Sequence, residues 1–333
     1  MTITATEILE SINPATGEVV GSVPITPTDA IAGIVEKART AQKSWNELGL
    51  DKRIEILRPA AKRLAEEAPE IGKLMTSEMG KSTPEAQGEA SYTADKFATE
   101  LEEAADAFAP EIIEDESVKS TLYRDPLGVS VAITPWNFPE LMPQQCILPS
   151  LVAGNTVIFK PSEDTPLTGQ AYADVLNEFL PEGVLQVVHG ADDQGKELVD
   201  SDINLVAFTG SRAVGAKILT ACGPDLKRVI LELGGKDALI VLDDADLESA
   251  SDFAVHNSFR NAGQVCVSTE RIYVHEKVAD DFEALVIEKT KALKQGDPTD
   301  ESVNVGPMVH SSQRDIVLAQ LEEALKDGAE LRC

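Results

Sequence analysis

The sequence predicts an α/β protein built on a parallel sheet. Four apolar, β-rich runs, Val129–Ile133, Thr156–Phe159, Leu185–Val188 and Leu205–Phe208, are separated by stretches that read as helix or loop. A second group of elements follows Gly235, and a chain of 333 residues with 43% hydrophobic content is long enough for two domains.

Taken in order, Ser11–Val20 alternates turn formers with β-branched residues and reads as a strand and turn. Thr28-Asp29 can cap a helix through Ala30, Ile34, Ala38 and Ala41, and apolar periodicity over Ile54–Leu64 and Ile71–Met79 extends a helical amino-terminal region. Asp125-Pro126-Leu127-Gly128 is turn-like between two strand-like segments, which predicts a hairpin arm at about 118–131. Beyond the sheet, Asp237–Leu242 reads as a strand, Ala245–Asn261 as a helix, Arg271–Val274 as a strand, and Ala279–Lys294 and Ser312–Lys326 as helices.

Acidic side chains outnumber basic ones by 57 to 29, a formal charge of −28, which argues against nucleic acid or an anionic membrane as partner. Molar salt shortens the screening length to about 3 Å and relieves such self-repulsion, so a salt-adapted protein is expected. Met1–Glu10 lacks the basic and apolar pattern of a leader, and no apolar run is long enough to span a bilayer, which predicts a soluble, cytoplasmic protein. The cysteines Cys146, Cys222, Cys266 and Cys333 show no paired spacing, so neither a metal site nor a disulfide framework is indicated.

Four motifs bear on chemistry. Glu232-Leu233-Gly234-Gly235-Lys236 and the later Gly263-Gln264-Val265-Cys266 suggest a thiol nucleophile with a carboxylate that handles water. Taken singly, Cys266 also fits a small buried hydrophobe and Glu232 a solvated charge at a strand end. Thr134-Pro135-Trp136-Asn137-Phe138-Pro139 fixes an amide between prolines, suited to an oxyanion or to a rigid turn. Phe159-Lys160-Pro161-Ser162-Glu163 leaves a strand's carboxyl end, where α/β sheets bind ligands. There Lys160 suits ribose or phosphate oxygens, and Glu163 would repel a 2′-phosphate; a surface ion pair is the alternative. Leu205–Leu219, with Gly210, Ser211 and Gly215, reads as strand, glycine turn and helix, an anion site or an ordinary βα turn.

In this order the motifs resemble the NAD(P)-dependent aldehyde dehydrogenase superfamily, from Ile12 to the end of the chain and including Gly306-Pro307. The resemblance implies an aldehyde dehydrogenase-like fold: a Rossmann-type dinucleotide-binding domain over residues 1–234, with a hairpin arm of the oligomerisation type, and the amino-terminal part of an α/β catalytic domain over 235–333. It implies that Cys266 is the nucleophile, that Asn137 and the Cys266 backbone N–H hold the oxyanion, and that Glu232 is the general base. Cofactor contacts are implied for Pro135, Trp136, Lys160, Ser162, Glu163, Gly210, Ser211, Val214 and Gly234. NAD is expected rather than NADP, with a small-molecule aldehyde as substrate, no metal, and a homo-oligomer for the full-length family.

Family members continue beyond the point where this sequence stops and contain a Glu-x-Phe-Gly-Pro motif absent from these residues, so a truncated chain is expected. Two alternatives stand beside hydrolytic aldehyde oxidation: an inactive fragment that binds dinucleotide or a related chain, and a CoA-acylating semialdehyde dehydrogenase. The run Asn261–Val274 is similar to succinate-semialdehyde dehydrogenases, with small aliphatic aldehydes equally open.

Overall fold

The computed structural model describes residues 7–333; Met1–Thr6, on which part of the reading of the amino terminus falls, lie outside the described residues. In chain order the elements are β1 (Ile8–Ile12), β2 (Val19–Pro24), α1 (Ile31–Glu47), α2 (Leu50–Met79), α3 (Thr83–Phe108), β3 (Glu111–Glu114), β4 (Lys119–Leu122), β5 (Val129–Ile133), α4 (Leu141–Val152), β6 (Thr156–Lys160), α5 (Pro166–Asn177), β7 (Leu185–Val187), α6 (Asp192–Asp200), β8 (Leu205–Thr209), α7 (Arg212–Cys222) and β9 (Arg228–Glu232). There follow β10 (Asp237–Val241), α8 (Leu247–Phe259), β11 (Thr269–Val274), α9 (Ala279–Ala292) and α10 (Ser311–Lys326).

The described residues divide into two compact units, one of residues 7–11, 19–74 and 87–233, the other of 12–18, 75–86 and 234–333. The carboxyl-terminal segment is thus accompanied by two short pieces from the helical amino-terminal region.

The first unit is organised by a five-stranded sheet, all parallel, in the order β7-β6-β5-β8-β9. Strands β5, β6 and β8 are buried almost throughout, which is why they read as continuous apolar runs. On one face Trp45, Leu57, Leu64, Phe97, Leu101, Ile147 and Phe159 pack into the larger core, and the Trp45 ring N–H donates to the Leu151 carbonyl at 2.9 Å. On the other face Ile31, Val35, Val131, Val206 and Ile218 form a second core. In chain order the strands run 3-2-1-4-5, five of the six strands of the doubly wound dinucleotide-binding order, with the switch point between β5 and β8.

Several expectations are corrected. The hairpin arm is β3 with β4, so it spans 111–122, and its turn lies at Asp115–Val118. There the Asp115 carboxylate accepts the N–H groups of Ser117 and Val118, a local bond that makes the turn without proline or glycine. Asp125-Pro126-Leu127-Gly128 instead links the arm to β5. Thr28-Asp29 lies in a short 3-10 turn ahead of α1, whose N-cap is Ala30 with no side-chain bond. The two periodic segments 54–64 and 71–79 belong to one helix, α2, which continues through Pro59 and Pro69.

In the second unit β10 and β11 pair in parallel, and Val241, Ala254 and Phe282 form a small core. Asp246 caps α8 through its carboxylate, while α10 has no buried residue. Among the described residues, no helix is long and apolar enough to cross a membrane.

Candidate active site

The carboxyl ends of the parallel strands gather most of the residues singled out above. Just past β5, the Thr134 N–H donates to the Lys160 carbonyl at 3.3 Å, and the chain bends through Pro135, Trp136 and Asn137 into α4. The far side of that bend is fixed by Glu89, whose carboxylate accepts the N–H groups of Glu140 and Leu141, each at 3.2 Å. Asn137, half-buried, is therefore held between a strand end and a helix start.

Lys160, the last residue of β6, is buried and forms an ion pair at 3.5 Å with the partly exposed Glu163. Its ammonium makes two long contacts, 3.3 Å to the Pro161 carbonyl and 3.5 Å to Glu163, and burial lowers its pKa against the opposing pull of Glu163, Asp192 and Asp164. A desolvated three-donor group with only long contacts retains capacity for a ligand hydroxyl. Buried Ser162 forms the turn that brings Glu163 back toward it: its Oγ accepts the Asp164 N–H at 3.3 Å.

Past β8, the Gly210 N–H donates to the Glu232 carbonyl at 3.0 Å, and Ser211 caps α7 by accepting the Val214 N–H at 3.2 Å. A side chain at Gly210 would meet the Phe208 ring at 2.5 Å, so this turn requires glycine. The capped helix start points its amide dipoles past the strand ends, beside the switch point. The helix start with its glycine turn could hold an anion, and Lys160 with Glu163 could hold hydroxyl groups, a donor set of the kind a dinucleotide's pyrophosphate and ribose would need.

Glu232 ends β9 opposite Thr209, with its side chain exposed. Cys146 on α4 hydrogen-bonds Thr209, and burial together with the nearby Glu232 carboxylate pushes its thiol up to about 11. This second cysteine is a neutral thiol beside the expected general base. Sequence spacing missed both Cys146 and Thr209, because their nearness to Glu232 depends on the β8–β9 pairing, and β9 offers only three apolar residues between charged ends.

His189, just past β7, was also missed. It is buried, with its Nε2 at 2.7 Å from Gln170 Oε1, and burial plus the Lys160 charge lower its pKa to about 4.

In the second unit, Cys266 is half-buried rather than sealed in a core. Its loop is held at many points. The Gly235 N–H donates to the Cys266 carbonyl at 3.1 Å, which ties the glycine pair that follows Glu232 to the cysteine loop. The Gln264 side chain donates to the Asn261 carbonyl at 2.9 Å and accepts the Val309 N–H at 3.0 Å, and Glu85 accepts the Asn261 N–H at 2.9 Å. Asn261, Ala262 and Gly263 all have positive φ, at 51°, 55° and 75°, a strained run that tolerates non-glycine residues only because these bonds over-determine it. Among the described residues no group of three or more His, Cys, Asp or Glu side chains could hold a metal ion.

Comparison with known proteins gives the same outline. The profile described as "Aldehyde dehydrogenase family" matches residues 2–333. A betaine aldehyde dehydrogenase of Sinorhizobium fredii is 39% identical over 98% of this chain and 68% of its own length. A succinate-semialdehyde dehydrogenase [NADP(+)] of Escherichia coli is 36% identical over 98% of this chain and 69% of its own. The crystal structure of lactaldehyde dehydrogenase from Escherichia coli superposes with a TM-score of 0.94 at 33% identity, over all of this chain and 71% of that one. With a family profile over nearly the whole chain and relatives above 30% identity, this chain belongs to the aldehyde dehydrogenase family.

Proposed function

We propose that this protein oxidises an aldehyde to a carboxylic acid by thiol catalysis, with residues 1–234 binding the dinucleotide and 235–333 contributing to catalysis. The observation that supports this most is the cysteine loop: a half-exposed thiol on a rigid, strained turn, tethered through its own carbonyl to Gly235. Rigid presentation of a nucleophile is what covalent catalysis needs. Cys266 attacks the carbonyl carbon, and the Asn137 amide and the Cys266 N–H stabilise the oxyanion, contacts worth about 3 kcal/mol each in comparable sites. Bound nicotinamide dinucleotide supplies the hydride acceptor. Loss of hydride from the adduct leaves an acyl thioester on Cys266, and Glu232 takes a proton from water so that hydroxide displaces the thiolate and releases the acid.

NAD is the proposed cofactor. Glu163, Asp164 and Asp192 lie near the buried Lys160 ammonium, and a 2′-phosphate would add two negative charges there. The relative labelled NADP(+) makes the comparison of both cofactors essential. A small aldehyde or semialdehyde is the proposed substrate, in line with the succinate-semialdehyde relative. The oligomer would be formed by copies of this chain, with no nucleic acid or membrane partner.

A second reading rests on the exposed apolar side chains of β10, β11 and α10, among them Ile240, Tyr273, Ile316 and Leu321. In that reading the chain binds dinucleotide, or a related chain, without turnover. Purified protein mixed with succinate semialdehyde and NAD in molar KCl separates the two. The first predicts NADH formation that Cys266→Ala abolishes and that does not require CoA; no NADH from the unsubstituted protein supports the second.

A further inference from the structure

Ser82-Thr83-Pro84-Glu85, which opens α3, has the spacing of a capping box, in which a glutamate three residues after a serine returns its carboxylate to the serine N–H. The helix does start there, since the Ala86 N–H donates to the Ser82 carbonyl at 2.9 Å. The Glu85 carboxylate, however, is shared with a distant loop. One oxygen accepts the Ser82 hydroxyl at 3.1 Å, and the other accepts the Asn261 N–H at 2.9 Å.

At Asn261 the α8 segment gives way to the cysteine loop. The Arg260 N–H still bonds back to the His256 carbonyl, but Asn261, Ala262 and Gly263 follow as three consecutive residues at positive φ. The Asn261 N–H has left the helical ladder, and with Asn261 buried it needs a protein acceptor. Left-handed backbone at alanine is strained, so the turn relaxes unless both of its ends are held. Gln264 holds the far end, through the Asn261 carbonyl and the Val309 N–H, and Glu85 holds the near one.

The support behind Glu85 is rigid. Thr83 donates its N–H at 2.9 Å and its hydroxyl at 3.0 Å to the Pro298 carbonyl. The backbones of Gly80 and Gly306 approach so closely that a side chain at Gly306 would collide with the Gly80 carbonyl oxygen. Residues 80–85, 261–264 and 298–309, all of the second unit, thus close a ring of contacts, and Cys266 follows two residues after Gln264.

We propose that Glu85 is a positioning residue for the Cys266 nucleophile. By accepting the Asn261 N–H from 176 residues away it pins the start of the left-handed turn and so fixes where the thiol stands. The assignment rests on the thiol chemistry proposed above, and it gives the work to the reach of the side chain rather than to its charge.

Two substitutions in the whole chain separate reach from charge. Glu85→Gln keeps the length and an acceptor oxygen for the Asn261 N–H, and its amide can donate to the Ser82 hydroxyl. Glu85→Asp keeps the charge and its favourable place in the first turn of α3, but ends one methylene short. With succinate semialdehyde and NAD in molar KCl, the single-turnover NADH burst should fall about tenfold or more in Glu85→Asp, with half-saturating NAD unchanged, and stay within about twofold in Glu85→Gln. Hydrogen exchange needs no turnover. Amides of residues 261–266 should exchange about tenfold faster or more in Glu85→Asp and not in Glu85→Gln, while strands β5, β6 and β8 stay unchanged in both. A full burst in Glu85→Asp, equal losses in the two variants, unchanged exchange over 261–266, or faster exchange that extends to those strands would overturn the assignment. If the unsubstituted protein forms no NADH, the aldehyde reading fails and the exchange comparison alone decides the role of Glu85.

Discussion

Gly235→Ala probes the tether between the glycine pair and the nucleophile loop. The backbone of Gly235 is not in the left-handed region, so alanine introduces no backbone strain, and the whole effect comes from the new methyl group. That carbon would lie 2.7 Å from the Cys266 carbonyl oxygen and 2.7 Å from an Asp237 carboxylate oxygen. The Asp237 side chain can rotate away, whereas the Cys266 oxygen is backbone. Ordinary contact begins at 3.4 Å, so the cysteine loop must move by about 0.7 Å or the tether must stretch. A misplacement of 1 Å costs about a hundredfold in comparable reactions, so a tenfold to hundredfold loss in the acylation rate is expected. Overpacking of this kind also destabilises by about 1–3 kcal/mol. Single-turnover NADH bursts measure the first and urea denaturation the second. Gly33→Ala is the control: it lies exposed inside α1 with nothing within 4 Å of the added carbon, and should leave the burst unchanged while stabilising by about 0.5–1 kcal/mol. A Gly235→Ala burst within twofold of the unsubstituted rate would refute the claim that this tether sets the position of Cys266.

His189, with its pKa lowered from 6.5 to about 4 by burial and the Lys160 charge, is neutral when folded but charges when unfolded as pH falls below 6.5. The unfolded state then binds more protons, so stability falls from pH 6.5 downward, with the loss complete below about pH 4. Discounted for solvent screening, the loss is on the order of 1–2 kcal/mol, and His189→Gln should flatten that limb of urea midpoint against pH; an unchanged limb would contradict it. The charge of −28 predicts that unfolding midpoints rise between 0.1 M and 2 M salt, as the screening length falls from about 10 Å to below about 3 Å. Full stability in dilute buffer would count against salt adaptation.

How far the fold could be read in advance follows from where each strand lies. Strands β5, β6 and β8 are buried on both faces and show it as unbroken apolar runs, so their position and parallel pairing are legible. Strand β9, Arg228-Val-Ile-Leu-Glu232, lies at the sheet edge with alternating exposure and charged ends, and the eye passes over it. The arm was misplaced because Pro126 and Gly128 look like a turn, while the real one depends on the Asp115 carboxylate. The periodic runs 54–64 and 71–79 show separately in the sequence, while in the fold packing of Leu57, Leu64 and Met75 holds them in one helix that continues through Pro59 and Pro69. Residues with local signals, such as the proline-bounded Asn137 and the glycine-adjacent Glu232 and Cys266, stand out as candidates in the sequence; the surroundings of Cys146, Thr209 and His189 do not, since only the pairing of distant strands gives them neighbours.

The proposed chemistry turns on a covalent bond between Cys266 and the acyl carbon, released by water that Glu232 would activate. Glu232→Gln, mixed with succinate semialdehyde and NAD and quenched in acid, should accumulate a species heavier by one acyl group, with the added mass on the peptide that contains Cys266 and one NADH formed per adduct. NADH formation with no adduct, or an adduct on Cys146, Cys222 or Cys333 instead, would contradict the mechanism.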